Sequence, residues 1–281
     1  MINQDRLKSL INNKTKGDNT LSIQLFQMFF FEHILERISK SEYKKYIILK
    51  GGLLLSSIIG EESRTTKDMD ATLKVTKLSK EKIIEILENI FMIHINDNIN
   101  YKIINISEIR LEDDYEGYRI NVLATLDKLK VYLQLEFTTG DIITPREIEY
   151  GYNSIFENKK IYIMAYPLET QIAEKFETCI NRNILNTRMK DFYDLYKIDL
   201  TKVDSNVLFK SMENTFKKRE TNFDLEYLKK TVIDIKNSNE LKSRWLGYID
   251  GTPYAKDISY EDVMVALLNI VKILEEQFVQ V

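Results

Sequence analysis

The sequence predicts an α+β fold: a mixed, largely antiparallel sheet with flanking helices over residues 1–166, then an all-helical bundle over residues 167–281. Three observations carry this. Segments with strand character, several of them alternating apolar and polar residues, follow one another between Tyr46 and Tyr166. After Pro167 the patterned segments repeat their apolar residues every three or four positions, the period of a helix with one buried face. Strands followed by a run of helices point to α+β rather than to a regular strand–helix alternation. No flexible linker marks the boundary near Tyr166-Pro167, so the two halves are expected to pack closely.

Taken in order, "NTLSIQLFQMFFFEHILERISKSE" sets Ile23, Phe26, Phe30, Ile34 and Ile38 on one helical stripe, with Asn19 or Thr20 as cap and a break over Ser39–Tyr43. "YIILKGG" reads as a short buried strand ending in a turn, and "LLLSSIIG" as a helix stopped at Gly60. "DMDATLKVT" alternates as a strand does. "LSKEKIIEILENIF" starts from a Ser79 cap and gathers Ile83, Ile86, Leu87 and Ile90 on one face. "KIINISEIR", "YRINVLATL" and "KVYLQLEFTTGD" are three strands whose spacing suits antiparallel hairpins, and "KKIYIMAY" is one more strand. Five helical segments follow, beginning "LETQIAEKF", "MKDFYDLYK", "SNVLFKSMEN", "DLEYLKKTV" and "YEDVMVALLN".

Composition narrows the function classes. Of 281 residues, 44% are apolar and 30% charged, a globular balance. No apolar run approaches the ~20 residues that span a bilayer. The start "MINQDRLKSL" lacks a secretory pattern, so a reducing, cytoplasmic setting without a membrane is the expectation. One cysteine, Cys179, and two histidines, His33 and His94, argue against a disulfide framework or a Cys/His zinc site. Both histidines sit in apolar contexts and read as structural, and Trp245 reads as a packing anchor. A net charge of −3 means that any nucleic-acid binding must use a local patch. "NTFKKRE" (214–220) and "YLKK" (227–230) bring cations and an aromatic together, though such runs are commonly solvated helix faces.

The chemistry concentrates in "KGGLLLSSIIGEESRTTKDMDATLK". A strand entering Gly51-Gly52 and then a helix can present backbone N–H groups to phosphate, and glycine lets that phosphate approach. The lysine precedes the glycines, so this is not a P-loop. Asp68 and Asp70, two apart on a strand, project from one face while Met69 points to a core. Two adjacent carboxylates repel unless a cation neutralises them, and Mg²⁺ suits one or two carboxylates together with waters and substrate phosphates. Each feature alone is equally a turn and a solvated strand. Gln134 and Glu136 share one face of their strand, and Leu133, Leu135 and Phe137 the other.

Lys50-Gly51-Gly52 followed by Arg64, Thr66, Asp68 and Asp70 resembles the first motif of nucleotidyltransferases of the DNA polymerase β superfamily, and more narrowly of the AbiEii toxin family. A second stretch, with Glu174, Lys175, Arg188, Lys190, Asp191, Asp194 and Leu195, resembles that family's helical Glu-Lys and R-x-K-D-x-x-D-L signature. "GDIITP" (140–145) resembles its segment after the third core strand. The resemblance spans about residues 45–200. It implies a nucleotidyltransferase-like fold whose helical domain completes the active-site cleft. It also implies Mg²⁺ (or Mn²⁺) on Asp68 and Asp70 with a third carboxylate from a neighbouring strand, for which Glu136 is the candidate and Asp141 the fallback, and catalytic roles for Asp68, Asp70, Lys175 and Asp191. Lys50, Gly51, Gly52, Arg64, Thr66, Lys190 and Asp194 would contact the nucleotide. Lys50 can equally end its strand paired to a carboxylate, Thr66 can be a polar turn residue, and Asp191 can orient Lys175. The implied activity is that of a toxin–antitoxin or abortive-infection (phage-defence) toxin. It would transfer NMP from an NTP, GTP or a pyrimidine NTP, to an acceptor such as tRNA. The implied partner is an antitoxin encoded nearby, a DNA-binding repressor. The alternatives are a catalytically silent nucleotide-binding or interaction module, and a nucleotidyltransferase or kinase acting on a small molecule or protein.

Overall fold

The structure is a computed structural model and describes residues 2–60, 65–74, 78–110 and 116–279. The chain divides into two compact units, Met1–Asp141 with Ile148–Ala165, and Ile142–Glu147 with Tyr166–Val281.

The first unit contains, in chain order, α1 (Gln4–Thr15), α2 (Asn19–Lys40), β1 (Ile47–Lys50), α3 (Gly51–Ile59), β2 (Asp68–Leu73), α4 (Lys80–Phe91), β3 (Ile99–Arg110), β4 (Glu116–Leu126), β5 (Leu129–Thr138), β6 (Ile148–Asn153) and β7 (Lys160–Ala165). Asp18 caps α2 by accepting Leu21 N–H, one residue before the expected cap, and Ser79 caps α4 by accepting Lys82 N–H. Among the described residues the strands form one sheet in the order β3-β4-β5-β2-β1-β7-β6. The β3–β4, β4–β5, β1–β2 and β6–β7 pairs are antiparallel, whereas β2–β5 and β1–β7 are parallel. This is the mixed, largely antiparallel sheet that the sequence predicts.

One sheet face is apolar: Met69 and Ala71 of β2, Leu135 and Phe137 of β5 and Ile120 and Val122 of β4 are fully buried. The aromatic run Phe29–Phe31 of α2 and Ile83, Leu87 and Ile90 of α4 are buried with them. Arg37 grips Asp97 with both guanidinium nitrogens (2.6 and 2.8 Å) and lies 5.1 Å from the Tyr101 ring, so α2 is tied to the start of β3. His33 is buried with Nδ1 2.9 Å from the Phe29 carbonyl, as a structural histidine should be, whereas His94 is exposed.

Glu32 is the unusual member of this core. Its carboxylate accepts from Ser154 Oγ (2.5 Å) and Ile155 N–H (2.8 Å) in the β6–β7 connection. Burial nevertheless dominates and pushes its carboxyl up from 4.5 to about 7. The folded state therefore holds a proton that the unfolded chain releases between about pH 4.5 and 7, and stability from this group falls as pH rises through that window. Glu32→Gln is expected to flatten that segment of the pH–stability curve by up to ~3 kcal/mol, read from urea midpoints at pH 5 and pH 8. Parallel curves for the two proteins would contradict it.

The second unit holds α5 (Leu168–Arg182), α6 (Met189–Lys197), α7 (Ser205–Lys218), α8 (Leu225–Asn237), α9 (Asn239–Asp250) and α10 (Tyr260–Phe278). Pro167 precedes α5, where its missing N–H costs no helical bond. Ser259 and Asp262 form a reciprocal capping box at α10. Trp245 is fully buried and donates Nε1–H to the Ile258 carbonyl (3.0 Å), which makes it a packing anchor. Among the described residues no helix is long and apolar enough to cross a membrane.

Candidate active site

In the first unit the polar face of the sheet carries the predicted residues in one lateral row. Lys50 of β1 registers with Asp70 of β2, Asp70 with Glu136 of β5, and Glu136 with Arg119 of β4. Registered partners point to the same face, so cation, two carboxylates and cation stand side by side across four strands. Asp68 lies two residues before Asp70 and registers with Gln134.

Each acid is held differently. Thr66 Oγ1 donates to Asp68 Oδ1 (2.6 Å), so this threonine orients a carboxylate rather than filling a turn. Asp70 receives the Gly52 N–H at the start of α3, occupying with a carboxylate the backbone donor that the sequence offers to phosphate. Burial, then the negative charges of Asp68 and Glu136, push the Asp70 carboxyl up to about 7, against the opposing pull of Lys50 and the Gly52 N–H. Glu136 Oε1 accepts from Arg119 Nε (2.8 Å) and Gln134 Nε2 (2.8 Å).

Lys50 and Asp141 are joined. Lys50 Nζ lies 2.7 Å from Asp141 Oδ2, and the same oxygen accepts from Thr72 Oγ1 (2.5 Å) and Thr138 Oγ1 (2.6 Å). Burial would raise the Asp141 carboxyl, but Lys50 and the two hydroxyls outweigh it and keep the group below the ordinary range. Asp141 thus anchors the end of β1 to β2 and β5, and Lys50 ends its strand on a carboxylate. Gly140 before it has φ +81, in keeping with a turn.

The glycine requirement is equally local. Gly51 has φ +66, and a Cβ added there would sit 2.1 Å from Asp70 Oδ2 and 2.8 Å from its Cγ. Gly51→Ala is expected to cost about 1–3 kcal/mol through backbone strain and to displace the Asp70 carboxylate. Denaturation midpoints indistinguishable from wild type would contradict it.

The second signature assembles within the second unit. Lys175 on α5 contacts both Asp191 (2.6 Å) and Asp194 (2.8 Å) of α6, and Arg188 Nε reaches Asp191 Oδ2 (2.6 Å). The two carboxylates share a helix face three residues apart, as their spacing requires. Burial would raise Asp191, but Lys175 and Arg188 hold it far below the ordinary carboxylate range. Lys190 lies half-buried on the same helix, and Arg64 lies outside the described residues.

A divalent cation is the group that this chemistry implies. Among the described residues no three His, Cys, Asp or Glu side chains form a ready-made metal cage. The Asp68–Asp70 pair still fits Mg²⁺, which binds through one or two carboxylates and completes its shell with water and phosphate oxygens. Burial first, and then the neighbouring charges of Asp68 and Glu136, raise the Asp70 carboxyl, and Lys50 offsets this only in part.

Sequence reasoning missed Arg119, and it allowed Lys50 a carboxylate partner without naming Asp141 as that partner. Arg119 has no motif to signal it. The Lys50–Asp141 pair was prefigured only by a lysine at a strand end and an acid after a turn.

The family model described as "Nucleotidyl transferase AbiEii toxin, Type IV TA system" matches residues 33–266. Two of the solved structures similar to this chain illustrate the likeness. One is JHP933 from Helicobacter pylori, with TM-score 0.53 and 17% identity, covering 92% of this chain and 95% of that one. The other is MenT4, the nucleotidyltransferase toxin Rv2826c of Mycobacterium tuberculosis H37Rv, with TM-score 0.57 and 12% identity, covering 95% and 98%. At these identities the likeness is one of fold. No curated protein matches the chain.

Proposed function

We propose, from the premise that this chain belongs to the AbiEii family of nucleotidyl transferase toxins of type IV toxin–antitoxin systems, that it transfers NMP from an NTP to the hydroxyl of an RNA acceptor, tRNA in the first instance. The acceptor oxygen bonds to the α-phosphorus, the bond from that phosphorus to the bridging oxygen breaks, and pyrophosphate leaves. The observation that carries the reading is the Asp68–Asp70 pair beside the Gly51-Gly52 helix start, with the Asp70 carboxyl raised to about 7.

Asp68 and Asp70 would hold Mg²⁺ or Mn²⁺, which when bound supplies charge to activate the attacking hydroxyl and neutralise the leaving group. Thr66 holds the Asp68 carboxylate in place by donating to Oδ1. Gly51, with no side chain, lets the Asp70 carboxylate close on the helix start and accept the Gly52 N–H, so the turn positions a carboxylate assigned to the cation. Lys175, drawn into place by Asp191 and Asp194, is assigned the triphosphate of GTP or a pyrimidine NTP, and Lys190 is assigned a second contact to the nucleotide. The expected protein partner is a cognate antitoxin acting as a DNA-binding repressor, and the setting is the cytoplasm.

The test is incubation with each labelled NTP, Mg²⁺ and total RNA. Label should enter RNA with wild type and not with Asp68→Asn. No transfer with any NTP, or undiminished transfer by the variant, refutes the proposal. One observation favours a second reading, a nucleotide-binding module without catalysis: Glu136 is bridged by Arg119. Calorimetry distinguishes it by nucleotide binding that persists without a divalent cation and releases no pyrophosphate.

A further inference from the structure

The polar sheet face does not end at the acidic pair. Beyond Glu136 it continues over β5, β4 and β3 in registered rows: Gln134–Asn121–Asn105, Tyr132–Leu123–Lys102 and Lys130–Thr125–Asn100. The opposite face of these strands is the buried apolar core, so one solvated face is expected of an antiparallel sheet. Its content is not that of an ordinary solvated face. Tyr132 is 67% exposed, Lys102 and Lys130 are exposed, and the Arg119 side chain is 47% exposed. Against these three cations, Glu136 is the one carboxylate among the described residues of this face in β3, β4 and β5, and Arg119 already bridges it. The whole chain carries a net charge of −3, so this is a local reversal of sign. Side-chain amides fill the row between the cations and the acids.

We propose that this β3–β4–β5 face is the docking surface for the acceptor, and that its occupant is the single-stranded end of an RNA. The inference rests on the nucleotidyltransferase reading above and assigns that reaction a place for its second substrate. An exposed aromatic offers a base a stacking platform, amides offer partners to base edges, and flanking lysines and arginine take phosphates. Continuity with the acids supplies the direction. Because β5 pairs with β2, Gln134 stands beside Asp68 and Glu136 beside Asp70, and Tyr132 precedes Glu136 by four residues, about 13 Å along the strand. A strand stacked on Tyr132 therefore has its end within reach of the carboxylate pair. The basic helical segments at 214–220 and 227–230 are the rival surface.

The experiment is fluorescence anisotropy with a labelled single-stranded oligoribonucleotide of about ten nucleotides, without NTP or divalent cation, over a salt series. Tyr132→Ala should raise Kd about 5- to 150-fold. Lys102→Gln with Lys130→Gln should lower the slope of log affinity against log salt by about 0.7 for each phosphate that the two lysines neutralise. Thermal unfolding checks that each variant folds. Unchanged binding and slope in both variants overturns the proposal. So does a weakening confined to Lys217→Gln with Lys218→Gln, which would seat the RNA on the helical unit. Failure of the underlying reading looks different: wild type then binds the RNA and releases it with Tyr132→Ala, yet transfers no label to it from any NTP. A wild type that binds no RNA but labels a protein overturns this inference and leaves nucleotidyl transfer standing.

Discussion

Asp70→Asn is expected to lower nucleotidyl transfer by about 100- to 1,000-fold or more and, in the absence of a divalent cation, to raise thermal stability at pH 8. Loss of function with gain of stability is the signature of a charge kept for chemistry. The Asp70 carboxyl is buried and faces Asp68 and Glu136, and its proton is held to about pH 7 instead of 3.8. Between those values the folded state binds the proton and the unfolded chain does not, so stability declines as pH rises through the window. Above it, an ionised Asp70 is a burden of order ~4 kcal/mol, which Asn removes while still able to accept the Gly52 N–H. The gap between wild type and variant should narrow as pH falls through this window and close towards pH 3.8. Mg²⁺ added at pH 8 should raise the wild-type Tm and leave the Asp70→Asn Tm almost unmoved, since a ligand stabilises only the state that binds it. An Asp70→Asn protein less stable than wild type at pH 8 without metal would show that the carboxylate is satisfied as it stands.

The two carboxylates were legible because a period of two is local: Asp68 and Asp70 share a face whatever the strand pairs with. Their neighbours were not. That Asp70 stands beside Glu136 follows from a parallel β2–β5 pairing between segments about 65 residues apart, which no local pattern encodes, while Arg119 joins Glu136 through the register of the β4–β5 hairpin. The same non-local pairing brings Thr72 and Thr138 onto the Asp141 oxygen that Lys50 contacts. Elements with few buried anchors also escape a periodic reading. In α1 only Leu7, Ile11 and Thr15 are buried, and in α9 only Leu241 and Trp245. The edge strand β6 carries Gly151 at its centre and one buried residue, Tyr152. By contrast α5, α6, α7, α8 and α10 have continuous apolar stripes, and their extents follow the sequence pattern closely.

Lys175→Met should destabilise the protein by about 3–5 kcal/mol, the second large effect. The Lys175 side chain is 12% exposed, and those of its partners Asp191 and Asp194 are 4% and 0% exposed, so the ammonium's removal takes an ion pair from two buried carboxylates. Arg188 still reaches Asp191, and Asp194 loses its ion pair with Lys175. Adding Asp194→Asn to Lys175→Met should therefore recover part of the loss, a coupling that independent surface charges would not give. The pH dependence runs opposite to that of Asp70. Asp191 is held below its ordinary range, so its contribution is present above about pH 4 and fades only as acid protonates it. Because an unfolded Lys175→Met would say nothing of catalysis, Lys175→Arg is the decisive variant. A guanidinium keeps the charge but not the point geometry of an ammonium set between two carboxylates. If Lys175 serves the nucleotide, Lys175→Arg should retain most of the stability and lose about 100-fold or more in kcat/KM for the NTP. Full activity in that variant would make Lys175 a clamp between α5 and α6, and would leave the Asp68–Asp70 pair to carry the chemistry without it.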